Sequence, residues 1–434
     1  MLTIYIVLLF AIPSAATISA LGGLGRPSVL WGLVLLFWWL LSRLQVRVHD
    51  ARPVSQPIRY AFGALIVVIL VSFAAAMFRG QPVDQISPAI TALLRTASWS
   101  GVLLVAMDGI RTHDDLARLV RRLAIAGGAM AGLGMLQFIM GVSFIDWVGT
   151  LPGVTMDTEG TSVRGAFVRA SGTAIHPLEY GTVVVATIPL ALTVAVTRGF
   201  RGAASRVGAL WWTPVVVSFI AAIVAVSRSA IVGLAVAVIA SLPALPKAMR
   251  SWFIVGGGIL AVGVFIAVPR LWGTIVGLFA GASDDPSTQS RTNALARVPE
   301  FIGSSPLLGQ GFGTFLPRYY IFDNGWVLVL VELGIFGLLA LAGIVVTALW
   351  SVLNGSRRSD FQDTKAIGKA IAASILTCVV LFAFFDGFSF PMSAGYFFLL
   401  MGLSGALRTI AAADVDVSAG TARAVASIVG TEDE

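Results

Sequence analysis

An all-α fold, a polytopic transmembrane helix bundle of about twelve spans, is predicted by three features of this 434-residue sequence. Residues are 57% hydrophobic and 12% charged, whereas a soluble domain carries about 25% charged residues, so most side chains cannot face water. Apolar runs of roughly 17–25 residues recur from end to end, the length an α-helix needs to cross about 30 Å of hydrocarbon. Those runs, "ALIVVILVSFAAAM" among them, lack the alternation of a transmembrane barrel strand.

Placed by apolar length, the spans fall near residues 3–21, 28–42, 60–78, 88–107, 120–140, 180–197, 208–226, 229–245, 251–268, 324–350, 368–386 and 391–408. The first lacks a basic leading segment and is followed by many others, so it is read as a retained helix and not a cleaved signal. Two segments, about 141–179 and 269–322, are too long for the short links of a compact bundle; they are expected to hold short helices and to carry function. Residues 1–410 then form a single transmembrane domain, and the small, polar segment 411–434, ending "GTEDE", reads as a flexible tail. The one cysteine, Cys378, lies in an apolar run, which leaves no disulfide framework and no thiolate metal site.

Lysine and arginine fall in alternate loops. Arg43, Arg47, Arg52 and Arg59, then Arg111, Arg118, Arg121 and Arg122, then Arg198, Arg201 and Arg206, then Lys247 and Arg250, and finally Arg357, Arg358, Lys365 and Lys369 share one face. Translocating positive charge is disfavoured, so that face is cytoplasmic, with both termini on it. The net charge of +7 therefore concerns topology and does not point to nucleic acid.

The opposite face has short links near Arg26 and Arg79 and the two long segments. "VRGAFVRASGTAIHPLEYG" brings Arg164, Arg169, His176 and Glu179 to the start of a span; its arginines either serve a site or snorkel to headgroups. In "AVSRSAIVGL", Arg228 lies at a hairpin between two apolar spans, where a charge must face a cavity or cap the turn. The second long segment supplies Arg291, Arg297, Arg318 and Asp323. Its "GQGFG" lacks the lysine and hydroxyl residue of a phosphate loop and reads as a turn. Glu332, within a span, is expected to meet a partner or face a cavity; Arg95, within another, either contacts substrate phosphate or pairs with Glu332 or another acid of the bundle, and pairing is the favoured reading. Several outward arginines would suit a diphosphate, because guanidinium stays charged and binds phosphate oxygens bidentately. No acidic pair or histidine cluster with ligand spacing is visible on this face, so neither a metal nor a cofactor is expected.

From Arg169 to Gly337 the chain resembles the O-antigen ligase and polymerase family of bacterial envelope glycan transferases. The resemblance rests on "RASGTAIHP" before a span, "SRSA" at an outward turn, then "PLLGQGFGTF" and "DNGWVLVLVELGIFG", in that order. It implies a metal-independent, inverting glycosyltransferase of the bacterial inner membrane. Its donor is a glycan on undecaprenyl or a similar polyprenyl diphosphate, and its acceptor a hydroxyl of another glycan or glycolipid at the outer face. Arg169, Arg228 and Arg291 match family arginines and, with Arg318, would hold the diphosphate. The family usually has a histidine before the asparagine where this chain has Asp323 before Asn324; Asp323 would then be the base, with His176 its rival. Membrane lipid is the remaining expected partner. A secondary transporter and a lipid-linked glycan flippase are the competing readings.

Overall fold

The computed structural model describes residues 1–44, 54–157, 163–164, 167–200, 208–280, 286–359 and 361–429. The expectations for Arg47, Arg52, Arg201 and Arg206 lie outside these, as does the side chain of Arg164.

The bundle is built of helices, and among the described residues nine of them are long and apolar enough to cross a membrane. These are α2 (Pro27–Leu44), α3 (Pro57–Phe78), α4 (Val83–Gly109), α5 (His113–Met140), α6 (Pro177–Val196), α9 (Lys247–Ala267), α12 (Gly325–Arg358), α13 (Gln362–Leu381) and the first part of α14 (Pro391–Val429). The remaining apolar helices are shorter: α1 (Leu2–Phe10), α7 (Trp212–Val224), α8 (Arg228–Ser241) and α10 (Leu271–Ala280). The amphipathic α11 (Pro286–Ile302) completes the second long segment. The predicted tail, 411–434, is entered by α14, whose backbone is helical to Val429.

The first predicted span is corrected. Helix α1 stops at Phe10 and so covers only about 14 Å at 1.5 Å per residue, about half a bilayer core. Pro13 cannot donate to a helical ladder and disfavours helical geometry in the residue before it. Beyond it the chain extends into β1 (Ala16–Ile18), which pairs antiparallel with β2 (Val154–Met156) from the first long segment. A second small hairpin joins β3 (Val163–Arg164) to β4 (Phe167–Val168).

Helix α6 is buried along nearly its whole length and forms the centre of the bundle with α14. Close approach is achieved with small residues, as expected where lipid supplies no hydrophobic drive between helices. Gly101 of α4 lies against the backbone of Gly32 and Leu36 in α2, and Gly32 lies against Ser98. Helix α9 contributes little to the interior and is exposed along most of its surface.

Glu179, in the first turn of α6, ties four pieces together. Its carboxylate accepts from Ser14 Oγ at 2.9 Å, from the Ile175 amide at 3.0 Å, and from the Met392 and Ser393 amides at 2.7 and 3.3 Å. The last two are orphan N–H groups at the start of α14, so a buried anion from α6 completes that helix terminus. Glu179→Leu strands these donors, each costing about 1–3 kcal/mol when buried. The expected result is a loss of about 3 kcal/mol or more, read as a lower unfolding temperature in detergent, with Glu179→Gln recovering part of it.

Helix α12 is interrupted at Gly334, where φ is 67° and ψ is −166°. The backbone of 306–311 occupies the gap: the Gln310 and Gly311 amides donate to Val331 O and Glu332 O, both at 2.9 Å, and the Ile335 amide donates to Pro306 O at 2.9 Å. "GQGFG" is therefore a turn stitched into a broken helix. Ser72 Oγ donates to Leu308 O at 2.6 Å, and Arg79 Nη2 to Gly309 O and Gln310 O at 2.9 Å each, fixing the turn to α3 and the residue after it.

Candidate functional site

Arg228, Arg291 and Asp323 line one cavity of about 410 Å³, within the range of small-ligand pockets. Three local devices put them there. The "VSRS" turn ends α7 and starts α8 with Arg228 as its first residue; Ser227 and Ser229 hydroxyls bond at 2.9 Å across it. Val226 takes φ 48° in this turn, the left-handed region that a β-branched side chain rarely adopts. Helix α11 carries Arg291, whose Nη2 donates to Phe384 O at 2.9 Å, beyond the end of α13. Asn324 caps α12, its side-chain oxygen accepting from the Trp326 and Val327 amides at 3.0 and 3.2 Å, and so leaves Asp323 in front of the helix. Arg228 Nη1 donates to Leu278 O of α10 at 3.3 Å, which closes the far wall.

Burial raises the carboxyl pKa of Asp323 above its ordinary value, and the Arg291 guanidinium opposes that shift. Two cations and a carboxylate thus face a common space, where they can hold an anion and accept a proton.

The other predicted residues are placed elsewhere. His176 is the N-cap of α6, with Nδ1 accepting from the Leu178 amide at 3.1 Å. In the neutral ring this puts the proton on Nε2. Burial and the nearby Arg169 guanidinium lower its pKa to about 4. Arg169 and His176 are not among the residues lining the cavity of Arg228 and Arg291. Arg318 is exposed, ion-paired with Asp84 and bonded to the Tyr319 hydroxyl at 2.7 Å.

Arg95 and Glu332 share a second cavity of about 380 Å³ with Asp386. Arg95 makes no ion pair with Glu332 among the described residues, and it borders the same space as Asp386. Glu332 instead accepts from the Phe315 amide at 3.3 Å, a bond that seats the "GQGFG" turn. Asp386 is the functional candidate that the sequence reading missed. It falls within the predicted span 368–386, but α13 ends at Leu381, and the run "DGFSFP" that follows supplies helix-stopping residues.

These features define the class: a multi-pass α-helical membrane protein with charged cavities built from helix ends. The model of the O-antigen ligase family matches residues 213–342, so the family resemblance holds over a stretch containing Arg228, Arg291, Arg318, Asp323 and the break in α12. No curated protein matches the chain.

Proposed function

We propose that this protein moves a glycan from a polyprenyl-diphosphate carrier to a hydroxyl acceptor at the outer face of the inner membrane, as a ligase or polymerase. The observation that carries this reading is the meeting of Arg228, Arg291 and Asp323 around one cavity. The two guanidinium groups hold the donor diphosphate and stabilise the negative charge that grows on it as the anomeric C–O bond breaks. Asp323 takes the proton from the acceptor hydroxyl, whose oxygen forms the new bond on the opposite side of the anomeric carbon, giving inversion. Polyprenyl diphosphate leaves with the electron pair. His176 is the weaker base because its Nδ1 lone pair is engaged by the Leu178 amide. Arg169 and Arg318 stand outside the cavity and so have no part in holding the diphosphate there. The break in α12 lends the transporter reading no support, because the 306–311 backbone fills it.

The direct test is glycan size profiling of membranes with and without the gene, alongside transfer from a defined polyprenyl-diphosphate glycan in vitro. A lost ladder indicates polymerisation, and accumulated full-length carrier-linked glycan indicates ligation. A glycan unchanged in size but altered in sidedness would replace this reading with a flippase. The base assignment has its own test in the pH profile. Transfer requires ionised Asp323, so the rate falls as pH drops through its raised pKa. Asp323→Asn is expected to lower the rate by about 100-fold or more and to remove this acid limb. His176→Asn is expected to leave the limb in place; its disappearance there would move the role to His176.

A further inference from the structure

The second cavity has a different chemistry from the first. Along α4, Ser87, Thr91, Arg95 and Trp99 recur every fourth residue and so share one helix face. At 1.5 Å per residue this stripe descends about 18 Å from Ser87 to Trp99. Opposite it lie Glu332 of α12, Asp386 and Phe388 of the connection between α13 and α14, and Phe312 and Phe315, which follow the segment filling the α12 break. Trp99 is held rigid by stacking on Phe398, centroids 5.0 Å apart and 15° from parallel.

Two polar valences are left open here. Arg95 makes no hydrogen bond among the described residues, and its Nε is buried without a partner. Asp386 Oδ1 is likewise buried without one. An unmet buried donor or acceptor costs about 1–3 kcal/mol, more when charged, and here a donor and an acceptor of opposite charge border one space. A ligand hydroxyl can donate to the carboxylate and accept from the guanidinium. A ring carrying several hydroxyls on its edge and apolar C–H groups on its faces matches this wall of Arg95 and Asp386 between aromatic side chains. An acidic ring would meet Asp386 and Glu332, and a cationic ring would meet Arg95.

The position is equally specific. The start of α12 contributes to both cavities, Asn324 and Val327 to that of the two arginines and Leu328, Val329 and Glu332 to the other. The connection after α13 does the same through Phe384 and Asp386. We propose that the cavity of Arg95, Asp386 and Trp99 binds a neutral sugar ring of the acceptor glycan, next to the donor cavity. The word acceptor rests on the transferase reading, whereas the sugar site stands on its own geometry.

The test uses full-length protein in nanodiscs and a set of photoreactive probes: methyl-type glycosides of glucose, galactose, mannose, N-acetylglucosamine and glucuronic acid, each with a diazirine on the aglycone. At least one neutral probe is expected to label peptides containing residues 87–99 or 386–389, and excess unmodified glycoside to compete it away. Arg95→Met and Asp386→Asn are each expected to cut labelling by roughly tenfold, the loss of one charge-assisted hydrogen bond. Thr91→Phe, which fills the cavity and leaves both charges in place, is expected to do the same. Labelling that is equal for the glucuronide, maps elsewhere, or survives all three substitutions overturns the proposal, as does equal competition by a diazirine fatty acid. Arg291→Ala separates the two claims, since it should lose transfer and keep labelling. Wild-type protein that is labelled but transfers nothing defeats the transferase reading alone; transfer without labelling defeats the sugar site alone.

Discussion

Arg291→Ala is expected to lower glycan transfer by about 100- to 1,000-fold, the range found when one charge-stabilising donor is removed from an active site, about 2.7–4 kcal/mol. The guanidinium reaches the cavity from α11 and is aimed by its bond to Phe384 O at 2.9 Å. Truncation removes both the charge and the group that occupies this carbonyl. The fold should tolerate the loss, because Arg291 lies on α11 at the cavity wall, away from the helix packing of α4, α6 and α14. Arg291→Lys is expected to recover only part of the activity, since an ammonium keeps the charge but lacks the planar fork that engages two phosphate oxygens. Arg228→Ala should fall in the same range, and the double variant should lose less than the product of the two, because in the proposed reaction both act on one leaving group. The measurement is the initial transfer rate in membranes at matched protein level, with the unfolding temperature followed in parallel. A rate within about threefold of wild type for both alanine variants would remove the donor site from this cavity.

How much of this was legible in the sequence depends on what each feature needs. Span positions depend on apolar length, and the helices from α2 onward lie where the apolar runs do. The same criterion misplaced the first span, because "PSAATISAL" after Phe10 stays apolar while Pro13 ends the helix. It also drew Asp386 into a span, because the five phenylalanines within four residues of it kept the local average high. Arg228 was recognisable as a charge that lipid would not tolerate without a cavity, and Arg291 and Asp323 as outward-loop charges in the stretch that resembles the transferase family. Their convergence was not, because it needs α8, α11 and the ends of α12 and α13 to meet, and no spacing within one segment encodes that. The Ser87–Trp99 stripe was the reverse case. Its four-residue period was readable on α4, but its meaning came only with Asp386 from nearly 300 residues away in the chain. Gly334 gave no signal, since glycine is common in membrane helices.

That glycine carries the second large expected effect: Gly334→Val should destabilise the protein by about 2–6 kcal/mol or prevent it from accumulating. Two costs add. Its φ of 67° with ψ −166° lies in a region essentially open to glycine alone, worth about 1–3 kcal/mol for any other residue. A Cβ there would also overlap the Leu307 carbonyl and the Leu308 amide, and forcing atoms into a packed interior costs about 1–3 kcal/mol more. The contact is reciprocal: Gly309, at φ 70°, presses on the Glu332 carbonyl and the Leu333 amide. Two backbones therefore clasp each other with a glycine on each side, and neither can retreat without releasing the Gln310, Gly311 and Ile335 bonds. Gly309→Val should fail in the same way. Gly343, nine residues further along α12, faces open space, so Gly343→Val should be nearly neutral. Thermal unfolding of the three variants in one detergent decides the matter. If Gly334→Val unfolds within a few degrees of Gly343→Val, the clasp does not hold the long loop onto α12. The two proposed cavities would then have to be supported from elsewhere, since the start of α12 borders both, with Asp323 lining one and Glu332 the other.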